Sequence, residues 1–339
     1  MKFVQINNPP NRFRATEVEW DEEPPTTALE VFEETAKSIV TRNNSPDVGF
    51  EFSVNPYRGC THACTYCFAR NYHEFLGWGA GTDFETKIVA KTNAPELLRK
   101  ELMSTNWKGD SLAFSFTSDP YLPLEGSFEL TRRCLEICLE FRNPVSIVTK
   151  STLILRDLGI LLALHRQANL AVIFSLPTLD LATSRAIEPH TPTPAARLKA
   201  IEKLTAAGIT VGLAVAPVIP GLTDAEIPKI LGCGADAGVK FAFMSLLRLP
   251  GSVKDYFVAR LEESLPSKKD KILNRIREVR GGQLYNSNFG ERMRGTGERW
   301  AVITKLFEMS CRRYGINTEP INFKANTFQR PGQQMNLFD

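Results

Sequence analysis

The chain has 339 residues, 43% of them hydrophobic and 23% charged, which at roughly 100–200 residues per domain makes one large domain or two smaller ones. Forty-one Lys and Arg against 38 Asp and Glu give a net charge of +3, which excludes an acidic disordered chain and permits an anionic partner without requiring one. No apolar run reaches the ~18 residues of a membrane span, and the polar stretch Met1–Arg14 lacks the apolar core of a signal peptide, so a cytoplasmic protein is expected.

Residues 1–48 read as a polar arm. Glu17, Glu19, Asp21, Glu22 and Glu23 run into Pro24 and Pro25. A helix is predicted over residues 27–40, with Leu29, Phe32, Ala36 and Ile39 on one face. Residues 49–250 are rhythmic. Apolar runs at 50–54, 111–116, 145–149, 170–176, 209–218 and 240–247 predict strands. Helical patterns at 127–141, 155–167, 194–207 and 224–238 fall between them, and Gly208 and Gly238 stand where helices should stop. Strands alternating with amphipathic helices predict an α/β fold, a parallel sheet with helices outside it. Right-handed crossovers close six such units into a partial barrel, two short of a complete eight-fold one. After Pro250 and Gly251 the rhythm breaks into a helical extension over residues 251–325. Its helices are predicted at 252–264, 267–280 (capped by Ser267) and 298–313. Residues 326–339 read as an extended tail.

The most informative segment is Cys60-Thr61-His62-Ala63-Cys64-Thr65-Tyr66-Cys67. Three thiolates at C-x3-C-x2-C spacing, in a loop after the first barrel strand, suit three corners of an iron–sulfur cluster. Zinc is the rival, with His62 or His73 as a fourth ligand. In a reducing compartment, an odd count of seven cysteines with three crowded together points to a metal and not to a disulfide framework.

This spacing, with Tyr66 just before the last cysteine, resembles the radical S-adenosylmethionine (SAM) superfamily. The flanking Asn55-Pro56-Tyr57-Arg58-Gly59 and Phe68-Ala69-Arg70 resemble its spore photoproduct lyase-like group, also called DNA repair photolyase-like. So do Ser118-Asp119-Pro120-Tyr121, Ile187-Glu188-Pro189 and Ala216-Pro217-Val218-Ile219-Pro220-Gly221. The resemblance implies a partial (β/α)6, TIM-like barrel. It implies a 4Fe-4S cluster on Cys60, Cys64 and Cys67, with SAM chelating the open iron. It further implies reductive cleavage of SAM to a 5′-deoxyadenosyl radical that abstracts a substrate hydrogen, with a reductase, flavodoxin or ferredoxin as electron donor.

Other candidates follow from strand ends, where barrel enzymes bind ligands. Lys150, at the end of the third strand, matches a lysine of the group and is a candidate partner for the SAM carboxylate. Arg185 is a second carboxylate candidate. Ser175 is a candidate for the ribose or carboxylate, Ser118 for the amino group, Pro217 for an apolar wall beside adenine, and the Tyr66 backbone for the adenine edge. Asp119 and Glu125 are read either as substrate ligands or as helix caps, and His62 as a tuner of the cluster. Spore photoproduct lyase uses a hydrogen-donating cysteine near the end of the second strand, but Ala113–Tyr121 contains none. Tyr57, Tyr121 and Tyr285 are candidate substitutes. Cys134 and Cys138 read as core residues.

Arg275, Arg277, Arg280, Arg292, Arg294 and Arg299 lie among glycines, a pattern able to follow phosphates, or equally a solvated helix face. Gln334, Met335, Leu337 and Phe338 resemble the peptide by which bacterial proteins bind the DNA sliding clamp. Nucleic acid is therefore the expected substrate class. A protein or small-molecule substrate is the alternative for an enzyme, and a metal-stabilised nucleic-acid-binding protein is the alternative without catalysis.

Overall fold

The computed structural model describes residues 3–6, 29–319 and 327–332. The alternation of apolar strand and amphipathic helix resolves into six parallel strands: β1 (Phe52–Val54), β2 (Leu112–Phe114), β3 (Val145–Thr149), β4 (Leu170–Ser175), β5 (Val211–Val218) and β6 (Phe241–Leu246). They lie side by side in chain order, each parallel to the next. Val40–Arg42 pairs antiparallel with β1 and forms the sheet's edge. This is the partial six-unit barrel expected from the sequence.

Side chains alternate between the two faces of the sheet. Ile147, Val172, Phe174, Leu213 and Val215 face outward into the main core. There they meet Leu135, Leu161, Leu164, Ile201, Leu204, Ile230 and Leu231 of the surrounding helices. Cys134 and Cys138 lie fully buried in the same core. The opposite parity is small over part of the sheet: Ser53, Ala113, Ser146 and Ala171 stand side by side in register, and Ser175 and Ala214 meet Phe243 in a row nearer the carboxyl ends. Between these two rows, Val148, Ile173, Gly212 and Phe241 share the same face. Gly212 is tightly constrained, because a Cβ there would lie 2.2 Å from the ring of its register partner Phe241.

The predicted helix over residues 27–40 is not formed. Glu30–Glu34 is a strand, parallel to Lys87–Lys91, in a second sheet completed by Phe3–Ile6 and Tyr57–Arg58. Val31 and Phe32 meet an apolar partner, Ile88-Val89-Ala90, all fully buried, and this long-range pairing overrides helical spacing. Ser267 is not a cap: the helix runs Pro266–Glu278, with proline in its first turn and no capping side chain. The helix expected over 127–141 breaks at Glu129, whose φ is 50°, and resumes as Leu130–Glu140.

Two C-terminal helices, Val253–Ser264 and Pro266–Glu278, pack through Phe257, Leu261, Ile272 and Ile276 against Cys64, Tyr66 and Ile187. They therefore wall the cysteine loop. The third, Gly297–Arg313, joins the outer helical layer through Ile303 and Phe307. Phe328 stacks on Phe141 at 6.2 Å, and Arg330 donates to the carbonyls of Ser104 and Trp107, at the amino-terminal end of the barrel. The Gln334, Met335, Leu337 and Phe338 motif lies outside the described residues. Among the described residues, no helix is long and apolar enough to cross a membrane.

Gly212→Ala forces a methyl into the Phe241 ring and is expected to cost about 1–3 kcal/mol, read as a lowered midpoint in thermal unfolding.

Candidate active site

The cysteine loop begins at a position that demands glycine. Gly59 has φ +78°, and a Cβ would lie 2.8 Å from the Lys87 carbonyl oxygen and 3.0 Å from that of Phe84. Cys60 N–H then donates to the Phe84 carbonyl at 2.8 Å. Arg70 fixes the far side. It is fully buried, and its Nε donates to the Cys64 carbonyl at 2.9 Å and its Nη2 to the Ala63 carbonyl at 3.0 Å. Its Nη1 reaches the carbonyls of Ala80 and Gly81, Glu85 balances its charge, and the Tyr256 ring lies 4.1 Å from its Cζ.

Cys60 and Cys64 are buried and Cys67 half-buried, all as free thiols. Burial pushes the Cys60 thiol well above its ordinary range, and the nearby Cys64 and Cys67 push it further. Burial likewise takes Cys64 up to about 12, against the pull of Lys150. The three thiols thus lie within electrostatic reach of one another, in an apolar wall, with a cation beside them. That donor set fits an iron–sulfur cluster, whose loading expels thiol protons. Among the described residues, no three or more His, Cys, Asp or Glu side chains form a group suited to a single metal ion. His62 is turned to Asp119, its Nδ1 3.4 Å from Oδ2, and burial pushes it down to about 4, so it is neutral. His73 stands on the Arg70–Glu74 helix with its Nε2 buried and unpaired.

A fully buried carboxylate joins the loop to the barrel. Glu188 accepts hydrogen bonds from the Tyr66 hydroxyl and from Arg197 Nη2, the latter at 2.5 Å, and Lys150 Nζ lies 3.8 Å away. Burial would raise its pKa, but Arg197 and Lys150 outweigh burial and hold it below its ordinary value. Arg197, also fully buried, donates onward to the Ser175 carbonyl at 3.0 Å and the Pro192 carbonyl at 2.9 Å. Burial lowers the pKa of Lys150, yet Cys64 and Glu188 raise it more, and it stays charged.

Asp119 organises the ends of β2 and β3. It accepts from the Tyr121 N–H at 2.9 Å, the Thr149 hydroxyl at 2.7 Å and the Lys150 N–H at 2.8 Å. Glu125 caps the Leu130–Glu140 helix by accepting from Thr131 and Arg132 N–H, and it also takes the Tyr57 hydroxyl and Arg156. Both acids are therefore engaged in structure, as caps and ties, and not free for substrate. Beside them, Ser115 and Phe116 have φ of 118° and 109°, a region that costs non-glycine residues about 1–3 kcal/mol each and recurs at functional sites.

Lys150 and Tyr66 come together with the cysteines, the ammonium 5.8 Å from the Tyr66 ring centroid. Ser118 ties the loop, donating to the Gly59 carbonyl at 2.6 Å, and Ser175 donates to the Ala216 carbonyl at 3.0 Å. Pro217 follows a cis peptide at an irregularity in the β5–β6 register. Arg185 donates to the Thr191 carbonyl at 2.7 Å and so braces the turn after Glu188. Tyr57 and Tyr121 are fully buried, and the Tyr57 hydroxyl is engaged by Glu125. Sequence reasoning assigned no role to Glu188, Arg197 or Arg70. Glu188 and Arg70 stood in quoted motifs, but nothing in the pattern marks Arg197.

The radical SAM superfamily model matches residues 54–233. The chain belongs to the radical SAM superfamily. It is an α/β enzyme whose cofactors, in that family, are a 4Fe-4S cluster and SAM. An uncharacterized Mycobacterium tuberculosis protein is 36% identical over 270 residues, 79% of this chain and 77% of the relative. Among solved structures, spore photoproduct lyase complexed with dinucleoside spore photoproduct matches at TM-score 0.60 and 16% identity, over 88% of this chain and 86% of that one. A mutant of the lyase with bound AdoMet and the same dinucleoside matches at TM-score 0.56 and 16% identity, over 80% and 78%.

Glu188→Gln leaves Arg197 buried without its counter-charge and is expected to cost about 3–5 kcal/mol in denaturant unfolding. His73 gives a pH signature. Burial lowers its pKa to about 4, so the unfolded chain binds the proton more readily below pH 6.5. The stability His73 contributes is complete above pH 6.5 and falls by about 3 kcal/mol as pH drops to 4. His73→Gln is expected to flatten that part of the stability–pH curve.

Proposed function

We propose that Cys60, Cys64 and Cys67 hold the 4Fe-4S cluster, that Lys150 pairs with the SAM carboxylate, and that the enzyme acts on nucleic acid. The observation that carries this reading is the set of three free thiols, two buried and one half-buried, at the carboxyl end of a partial barrel, with the charged Lys150 beside them. When bound and reduced, the cluster supplies the electron that breaks a carbon–sulfur bond of SAM. The protein's own part is placement. Arg70 and Gly59 set the loop, Glu188 aims Tyr66 and Lys150, and the helices Val253–Ser264 and Pro266–Glu278 keep water from the loop's outer side.

The substrate class rests on the fold shared with a lyase complexed with a dinucleoside lesion and on the modest positive charge. The arginine-rich C-terminal third supports it less than its composition suggests. Arg280 is buried and donates to four backbone carbonyls, Arg275 and Arg299 pair with Glu278, and Arg292 pairs with Asp47. Arg277 and Arg294 remain exposed. The sliding clamp is proposed as a partner on the Gln334–Phe338 sequence alone, and truncation before Gln334 should abolish clamp binding. A flavodoxin- or ferredoxin-type donor is proposed for the electron.

The test is anaerobic reconstitution with iron and sulfide, followed by dithionite and SAM, with 5′-deoxyadenosine read by mass spectrometry. The native chain is expected to release it and Cys64→Ala to release none. A reconstituted native chain that binds zinc alone and releases none, with or without oligonucleotide, overturns the reading. Lys150→Gln is expected to weaken SAM binding about tenfold or more, the worth of a charge-assisted hydrogen bond, with iron content unchanged.

A further inference from the structure

Outside the cysteine site, the described structure holds a buried cation with no hydrogen-bonding partner. Lys91 ends the outer strand Lys87–Lys91 and is 9% exposed. Its register neighbour Glu34 is engaged by Arg58, 3.2 Å from the guanidinium. Among the described residues, no acceptor lies within hydrogen-bonding distance of the Lys91 ammonium. Lys91 lines a cleft of about 120 Å³, room for more than one water. Arg58, His73, Asn55, Thr117 and Tyr72 line it with Lys91, so one wall belongs to the cysteine-loop region and the end of β2. Tyr72 is 46% exposed and stacks on Phe75, itself 83% exposed.

A buried charge without a partner is costly, and proteins that keep one generally use it. Here the surplus is a single positive charge, since Arg58 and Glu34 cancel. An exposed aromatic at the rim beside a cation is the pairing that single-stranded nucleic acids meet on their binding proteins, where phosphate takes the charge and a base takes the ring. We propose that this cleft is a nucleotide subsite, with a phosphodiester seated on Lys91 and an adjoining base stacked on Tyr72. The proposal rests on the nucleic-acid reading of the active site and names where the strand is held next to it. Burial and the neighbouring Arg58 push the Lys91 ammonium down to about 8 against the pull of Glu34, and an incoming anion would oppose that shift.

The test uses the full, cluster-loaded chain and a fluorescent single-stranded oligonucleotide, with anisotropy followed across salt concentration. Lys91→Met is expected to weaken binding about tenfold and to lower the slope of log affinity against log salt by about one, while Lys91→Arg keeps the slope. Tyr72→Ala is expected to weaken binding about fivefold or more with the slope unchanged, as loss of a stacked base does. Replacing an unpaired buried ammonium by methionine should leave the unfolding midpoint level or higher, so the loss of affinity is not a loss of fold. Amine labelling of the native chain, read by peptide mass spectrometry, needs no variant: inorganic phosphate and the oligonucleotide should each protect Lys91. Strand binding that Lys91→Met leaves unchanged in strength and slope, with Lys91 labelled equally in the presence of phosphate, overturns the subsite and leaves the nucleic-acid reading intact. Protection by phosphate in a chain that binds no oligonucleotide keeps a phosphoryl subsite and overturns the nucleic-acid reading.

Discussion

The carboxyl end of this barrel depends on one buried ion pair. Glu188 and Arg197 are both removed from water, so each is stable there only while the other is present. Through them three separate stretches of chain meet. Glu188 fixes the Tyr66 hydroxyl of the cysteine loop and lies near the Lys150 ammonium after β3, and Arg197 holds the Ser175 carbonyl at the end of β4. Each of those segments is a strand end or loop that would otherwise move independently. An ion pair sealed from solvent thus sets the distance between the thiols and the cation that faces them.

Around that pair, polar groups at the mouth are mostly engaged with one another. Asp119, Glu125, Ser118 and Ser175 all make internal hydrogen bonds. The inner wall deeper in the barrel carries small residues at Ser53, Ala113 and Ser146 and larger ones at Val148 and Ile173. The site is therefore tied together at its rim, an arrangement suited to chemistry whose reactive fragment comes from a cofactor and whose protein groups hold geometry.

The barrel and the cysteine loop were legible because both are written locally. Strand and helix periods repeat along residues 111–247, and three cysteines within eight residues need no tertiary information to be noticed. What escaped was set by partners far away in the chain. Glu30–Glu34 carries helical spacing, but its fate is decided by Ile88 and Val89, more than fifty residues on. Arg197 looks like any arginine of an amphipathic helix, and its importance comes from Glu188 and the Ser175 carbonyl, which only folding brings to it. Asp119 and Glu125 were ambiguous between ligand and cap for the same reason: a carboxylate's role depends on which N–H groups surround it.

Arg70 holds the cysteine loop by its carbonyls. Its bonds to Ala63 and Cys64, and to Ala80 and Gly81, read the backbone and are indifferent to side chains. The shape of the loop is thereby uncoupled from part of its sequence. Half-buried Thr61 can change over evolution while the cysteine geometry persists, whereas Ala63, buried at a φ of 56°, is held by its own surroundings. Since hydrogen bonding and solvent around an iron–sulfur cluster set its reduction potential, such a loop lets a lineage retune the voltage of its electron transfer without rebuilding the socket.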